Sequence, residues 1–470
     1  MTERLPKSVL IAGAILGPLV LAYAAFSRPW YFTSQTYLGG ILLLEFVVGA
    51  LCFYRRVFFP VVIVAFLMAG INLPVGTFWT AARWVFLGVG AFAGFFIVLK
   101  ERSYRFGLFH AVAAFAVLTA LVSAAVSRYP GVALLKVLSL FLLFLYGATG
   151  ARLAVTGREN RFFNGLLIGC EIFVAANGIL YAAGIEAMGN PNSLGAVIGV
   201  VCAPLLLWGI LLGGEPLLVR RRWMLFAVCM TLGFISHARA GLAAALISSA
   251  LLCVGLRKYK LAIEGLVILL IVVAATAILR PEFITSMASS VVYKGGDASL
   301  GVLASRESPW RSAVDTISEH PWFGAGLGTT ANGGDADEKE QGRVSSTANV
   351  TTENGSSYLA IASGVGVVGV VPFSLLLLLL VGRVFRTVAY MRKTMSAVHP
   401  AIPLAMILTA GLVHAGFEDW LFAPGYYLCV FFWGLAFVLV DVAPYASSSS
   451  AFRWSIKRPF RTIAAVSLSR

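Results

Sequence analysis

Charge is scarce in this sequence: Asp, Glu, Lys and Arg make up 12% of the 470 residues, against 59% hydrophobic. A soluble core cannot hide that much apolar surface, which excludes a large soluble all-α protein, and stretches of about 20 apolar residues read as bilayer-spanning helices. Glycine-rich nucleotide motifs of the Walker and Rossmann kinds are missing, which argues against a nucleotide-driven pump. Cysteine is also rare. Cys52, Cys170, Cys202, Cys229, Cys253 and Cys429 all fall in apolar stretches, with no CxxC or Cys/His ligand spacing. Structural disulfides and a zinc site are therefore not expected. No metal and no cofactor is expected, although "DADE" (335–338) is the one acidic run that could suggest otherwise.

Apolar runs lie near 8–26, 38–54, 57–75, 79–99, 107–126, 131–151, 163–184, 193–213, 223–236, 240–256, 261–280, 357–382, 400–417 and 421–441. They predict an all-α polytopic membrane protein of about 14 (12–14) transmembrane helices with one large outer loop. The chain divides into spans 1–11 (1–280), the loop with an amphipathic helix (281–356), spans 12–14 (357–441) and a basic inner tail (442–470). "LAYAAF" (21–26) has an A-x-A pattern, but an uncleaved first helix serves the same topology.

The net charge of +15 follows that topology and does not mark a nucleic-acid surface. With both termini inside, roughly two-thirds of the Lys and Arg residues fall in inner loops and tails, as the positive-inside rule requires. Shifting the count by one helix would reverse the balance.

Polar residues gather at the outer boundary from distant parts of the chain: "SRYPG" (127–131), "GNPNS" (189–193), "SHARAG" (236–241), the loop and "FEDW" (417–420). In "SRESPWRSAVDTISEHPWFGAGLG" (305–328), Trp310, Val314 and Ile317 share a helical face, Pro321 ends the helix, and Gly324, Gly326 and Gly328 follow as bare backbone. Arg239, Arg306 and Arg311, with Arg128 as a fourth, are outer cations in a region that otherwise excludes positive charge. Their planar forks suit phosphate oxygens; as plain structure, they are snorkelling anchors or solvated helix faces.

Glu353 opens an apolar run, with Asn354 as a cap that leaves the N–H groups of Gly355, Ser356 and Ser357 at the boundary. Such a start attracts anions, and a carboxylate there can accept a hydroxyl proton or simply complement the helix dipole. Glu418 is the alternate base, or an arginine's partner, and Asp419 stands beside it. His237, His320 and His414 are candidates for proton transfer or for structure. Trp310, Trp322, Tyr358 and Trp420, with Asn354, are the candidates to contact sugars, and the aromatics equally suit an interfacial belt.

At these residues the sequence resembles the O-antigen ligase and polysaccharide polymerase superfamily. The matching pieces are "GNPNSLGAVIG" (189–199), "SHARAGLAAAL" (236–246), residues 305–328 and "ENGSSYLAIASGVGVVG" (353–369). The resemblance implies a GT-C-like fold in a bacterial inner membrane, with a periplasmic active site. It implies transfer of a glycan from undecaprenyl diphosphate to a hydroxyl, with diphosphate on Arg239 and on Arg306 or Arg311. The implied partners are that lipid-linked glycan, an acceptor glycan, the bilayer, and chain-length regulator and flippase proteins, with no nucleic acid. The family's histidine is missing: Glu353 stands in its place, or Gly355 if the pairing shifts by one turn. "HAGFEDWLFAPGYY" (414–427) looks like exopolysaccharide members. The leading expectation is therefore a polymerase, and a ligase is the nearest rival. A transporter would need charges through the midplane, where only Arg83, Lys136, Glu171 and Glu264 are candidates.

Overall fold

A computed structural model describes residues 35–70, 76–101, 106–185, 191–236, 238–279, 304–329 and 355–444, with a few single residues between them. The expected first span apart from Tyr23 and Phe26, the inner tail from 445, "DADE", His237, Glu353 and Asn354 lie outside the described residues. Every regular element among the described residues is a helix. In chain order these are α1 Gln35–Cys52, α2 Phe59–Ala69, α3 Gly76–Lys100, α4 Leu108–Val126, α5 Pro130–Val155, α6 Glu159–Ala182 and α7 Asn192–Leu211. There follow α8 Pro216–Ile235, α9 Arg239–Gly255, α10 Tyr259–Leu279, α11 Ala304–Glu319, α12 Ser357–Thr394, α13 Ala401–Ala415 and α14 Tyr427–Val442.

A helix stands at each expected span from residue 38 onward, but among the described residues only six are long and apolar enough alone to cross a bilayer. A seventh crossing arises if α1 and the stretch Tyr54–Ala69, which meet at a 109° bend, count as one. At 17 residues or fewer, α9, α13 and α14 reach at most about 25 Å, short of a hydrocarbon core of about 30 Å. Two expected boundaries move. The helix α8 begins at Pro216 and takes Arg220–Arg222 into its first turns, because Arg221 and Arg222 both pair with Glu171 of α6. The helix α12 continues past 382 to Thr394, with Val384, Thr387 and Met391 buried along one face.

Burial decides the layering. The apolar window of α7 is 89% covered and that of α6 only 28%, so α7 is central and α6 peripheral. Nearly all of α13 and α14 is buried with α7, while Phe92, Phe96, Phe115, Leu118, Ile172, Ile179, Leu378 and Phe385 point outward. An apolar outside around a packed apolar inside is what a lipid-solvated bundle requires.

Two backbone contacts position the end of the bundle that carries Arg239 and the start of α12. At the α7–α9 crossing, a Cβ on Gly199 would lie 2.0 Å from Gly241 O, and one on Gly241 would lie 2.3 Å from Gly195 O. This is close small-residue packing of the GxxxG kind, built by Gly195 and Gly199. It sets Arg239 beside the start of α7.

The second contact is a break in α12. Gly366 has φ 60° and ψ −173°, which is not helical, so the rungs 363–367 and 364–368 are missing. All four of their groups are paired again with the 321–326 backbone. Val367 N–H donates to Pro321 O (2.8 Å) and Val368 N–H to Trp322 O (3.1 Å). Ala325 N–H donates to Ser363 O and Gly326 N–H to Gly364 O, both at 2.9 Å. Ser123 of α4 adds a hydroxyl donor to Gly364 O (2.7 Å). Irregular backbone in a bundle survives where protein satisfies it in this way. The sequence-expected break at Pro321 and the bare glycine run are both present, with positive φ at Gly324, Gly326 and Gly328.

Candidate functional site

The loop helix α11 docks on the start of α12. Its inward face carries Arg306, Trp310, Ala313 and Ile317, whereas Val314, expected there, is 54% exposed. The Trp310 indole N–H donates to Gly355 O (3.3 Å), and a Cβ on Gly355 would lie 3.3 Å from Arg306 Nη1. Gly355 therefore leaves room for the arginine, which forms an ion pair with Glu418. The pair is half-sheltered, with side-chain exposures of 16% and 26%, so it is neither screened like a surface pair nor sealed in the core.

Ser357 ties that pair to the helix start. Its N–H and its hydroxyl both donate to Glu418 O, at 3.2 and 2.6 Å. The Ser357 hydroxyl oxygen in turn accepts the N–H groups of Trp420 and Leu421, both at 3.0 Å. The expected capping scheme is thus corrected. The cap position is Ser356, without a side-chain bond, and the Ser357 N–H is spent on the 418–421 turn instead of facing an anion.

Arg239, the first residue of α9, is half-buried and lies within electrostatic reach of Arg306. Lys136 of α5 donates to Gly328 O and feels the charge of Asp419. One short turn therefore presents Glu418 toward Arg306 and Asp419 toward Lys136. Tyr427 OH donates to Ser193 O (3.1 Å) and pairs with Tyr426 OH (3.0 Å), which joins the "APGYY" segment to the start of α7.

Other expected site residues take different places. Arg311 is 73% exposed and pairs at 2.9 Å with Glu307 on its own helix, one turn away; it does not join Arg306. Arg128 is exposed, its guanidinium 5.8 Å from the Tyr129 ring centroid. Trp420 is 3% exposed and donates its indole N–H to His414 Nδ1 at 2.7 Å. A ring sealed in this way has no face for a sugar, and His414, equally buried, is spent on holding it. Tyr358 is 37% exposed, with its hydroxyl donating to Leu412 O (2.7 Å). Trp322 is 67% exposed and lies on the loop that mends α12. His320 is exposed at the end of α11.

Sequence reasoning offered Ser357 only as a free N–H at the helix start and missed its hydroxyl, and it placed Lys136 among the candidate midplane charges. The position of Lys136, six residues into α5, was a signal that could have moved it toward the helix end beside the 417–420 turn.

The helices and their outward apolar side chains define a multi-pass helical membrane protein. Residues 224–374 match the family model described as O-antigen ligase, which supports the resemblance to the O-antigen ligase and polysaccharide polymerase superfamily. Three of the four resembling pieces fall inside that stretch. The fourth, 189–199, packs on the second through the Gly195–Gly199–Gly241 crossing. No curated protein matches the chain.

Proposed function

We propose that this protein is a membrane glycosyltransferase that polymerises undecaprenyl-diphosphate-linked repeat units into an exopolysaccharide or O-antigen-like glycan at the periplasmic face. The observation that carries this reading is the convergence of Arg306, Glu418 and Arg239 at the start of α12, with both arginines and that helix start inside the segment that matches the O-antigen ligase family and Glu418 beyond it.

The acceptor hydroxyl attacks the anomeric carbon of the lipid-linked sugar, and the bond from that carbon to the diphosphate oxygen breaks. Negative charge grows on the departing undecaprenyl diphosphate. Arg239 and Arg306 stabilise it where it develops, which is the kind of preorganised electrostatics that lowers barriers most. Glu353 takes the hydroxyl proton. Glu418, paired with Arg306, serves to aim that arginine, which is the second of its two expected roles, and not as the alternate base. Cleavage of the activated bond between sugar and diphosphate supplies the driving force, so no nucleotide is needed. In vitro extension of lipid-linked repeat units tests the reading: Arg306→Ala and Arg239→Ala lose extension, and Glu353→Gln loses it without loss of stability. Full activity in both arginine variants removes the diphosphate assignment.

The ligase reading is favoured by the description of the matched family. It uses the same groups on another acceptor. Deleting the gene separates the two: loss of all long polymer marks a polymerase, and accumulation of lipid-linked polymer marks a ligase. The transporter reading loses its support. Arg83 donates to Gly425 O (2.8 Å), Lys136 to Gly328 O, Glu171 pairs with Arg221 and Arg222, and Glu264 pairs with Lys260. Among the described residues these contacts do not link into a path.

A further inference from the structure

The opposite end of the bundle carries a second group of cations that the proposed chemistry does not use. The helix α3 connects the two ends: Arg83 meets Gly425 beside the first cluster, and Glu101, just past its last residue, pairs with Arg55 at the second. Eighteen residues of rise put them about 27 Å apart.

Arg55 and Arg56 occupy the π-helical turn Tyr54–Phe58, at the 109° bend that splays α1 from α2. Arg158, in the turn between α5 and α6, donates from Nη1 to Arg55 O (3.0 Å). Arg161 follows within the first turn of α6. Nearby Arg152 belongs to the core: it is 2% exposed, paired with Asp441 through two bonds (2.5 and 2.9 Å), and donates to Ala148 O.

The charges at this rim do not balance. Glu101 is taken by Arg55, and Glu159 accepts the Gly157 N–H (2.7 Å). Among the described residues no carboxylate pairs with Arg56, Arg158 or Arg161. Burial, and then the like charges of Arg56, Arg55 and Arg161, lower the pKa of Arg158. Beside this surplus the surface turns apolar at once, with Phe53 59% and Val57 41% exposed on the same bend. A soluble anion would use only the first feature. An amphiphile uses both.

We propose that this rim binds the headgroup phosphate of an anionic phospholipid, with Arg56, Arg158 and Arg161 on the phosphate and Phe53 and Val57 along the start of an acyl chain. The guanidinium fork pairs with phosphodiester oxygens. A headgroup with net negative charge relieves the repulsion among the arginines, whereas a zwitterionic headgroup brings its own cation. The site stands independently of the glycosyltransferase reading.

The test uses the full chain in detergent, titrated with phosphatidylglycerol or with phosphatidylcholine of the same acyl chains, with bound lipid counted by native mass spectrometry. Phosphatidylglycerol is expected to be retained preferentially. The Arg56→Gln/Arg161→Gln variant should weaken it by roughly fivefold for each arginine and leave phosphatidylcholine unchanged. Arg56→Lys/Arg161→Lys, which keeps the charge and therefore the fold, should fall between the two. Millimolar inorganic phosphate should not displace the lipid; if it does, the ligand is a free anion and the lipid assignment falls. Wild-type affinity in the glutamine variant overturns the site. So does an equal loss in Arg392→Gln/Lys393→Gln, on the last turn of α12, since that would make charge in general, and not this rim, the cause.

Discussion

Replacing Gly366 by alanine attacks the mended break in α12 directly. Its φ of 60° with ψ near 180° is a conformation essentially reserved for glycine, and forcing a side chain there costs about 1–3 kcal/mol. The new Cβ would stand 2.5 Å from the Trp322 carbonyl carbon and oxygen and 2.6 Å from Gly324 N. All of these are backbone atoms, so no rotamer can make way. If the loop is pushed off, four hydrogen bonds are lost at about 1 kcal/mol each, for a total loss of about 5–7 kcal/mol. The matched comparison is Gly382→Ala on the same helix, where nothing lies within 4 Å and alanine should gain up to about 1 kcal/mol. Thermal melts in detergent should separate the two variants widely. Amide hydrogen exchange should accelerate at 321–328 and 363–368 in Gly366→Ala alone. Equal melting of both variants, with those amides still protected, would refute the account of the break.

Three further outcomes follow from the same geometry. Arg152→Met leaves Asp441 unpaired and should cost about 3–5 kcal/mol in chemical denaturation, most of it recovered in Arg152→Met/Asp441→Leu. Trp420→Phe removes the donor to buried His414 Nδ1 and should destabilise by about 1–3 kcal/mol, read by the same denaturation. Arg311→Ala should leave both melting temperature and glycan extension at wild-type levels, because its partner is Glu307 on its own exposed face.

Much of the fold was legible because hydropathy reports helices directly: each expected span from residue 38 has one. Helix ends were less so. The start of α8 moved across three arginines because Glu171, some 50 positions earlier, holds Arg222 in the bundle and Arg221 at its surface. The site was legible where a residue type carries its own requirement. The glycine run after Pro321 and a cation at 306 were both visible in the sequence. What stayed hidden depends on tertiary partners. Arg306 and Arg311 look alike in sequence, and the room left at Gly355 and the position of Glu418 separate them. Trp420 and Tyr358 also read alike as aromatics, yet only Trp420 is sealed against the core.

The repair of α12 makes the spacing within 321–326 a ruler. Two carbonyls, at 321 and 322, and two amides, at 325 and 326, must meet four fixed partners at once. One residue inserted between 322 and 325 would offset one pair from the other and leave donors and acceptors stranded inside the bundle. Its four bonds join backbone to backbone, so beyond the glycines that let the two segments approach, what the seam fixes is length.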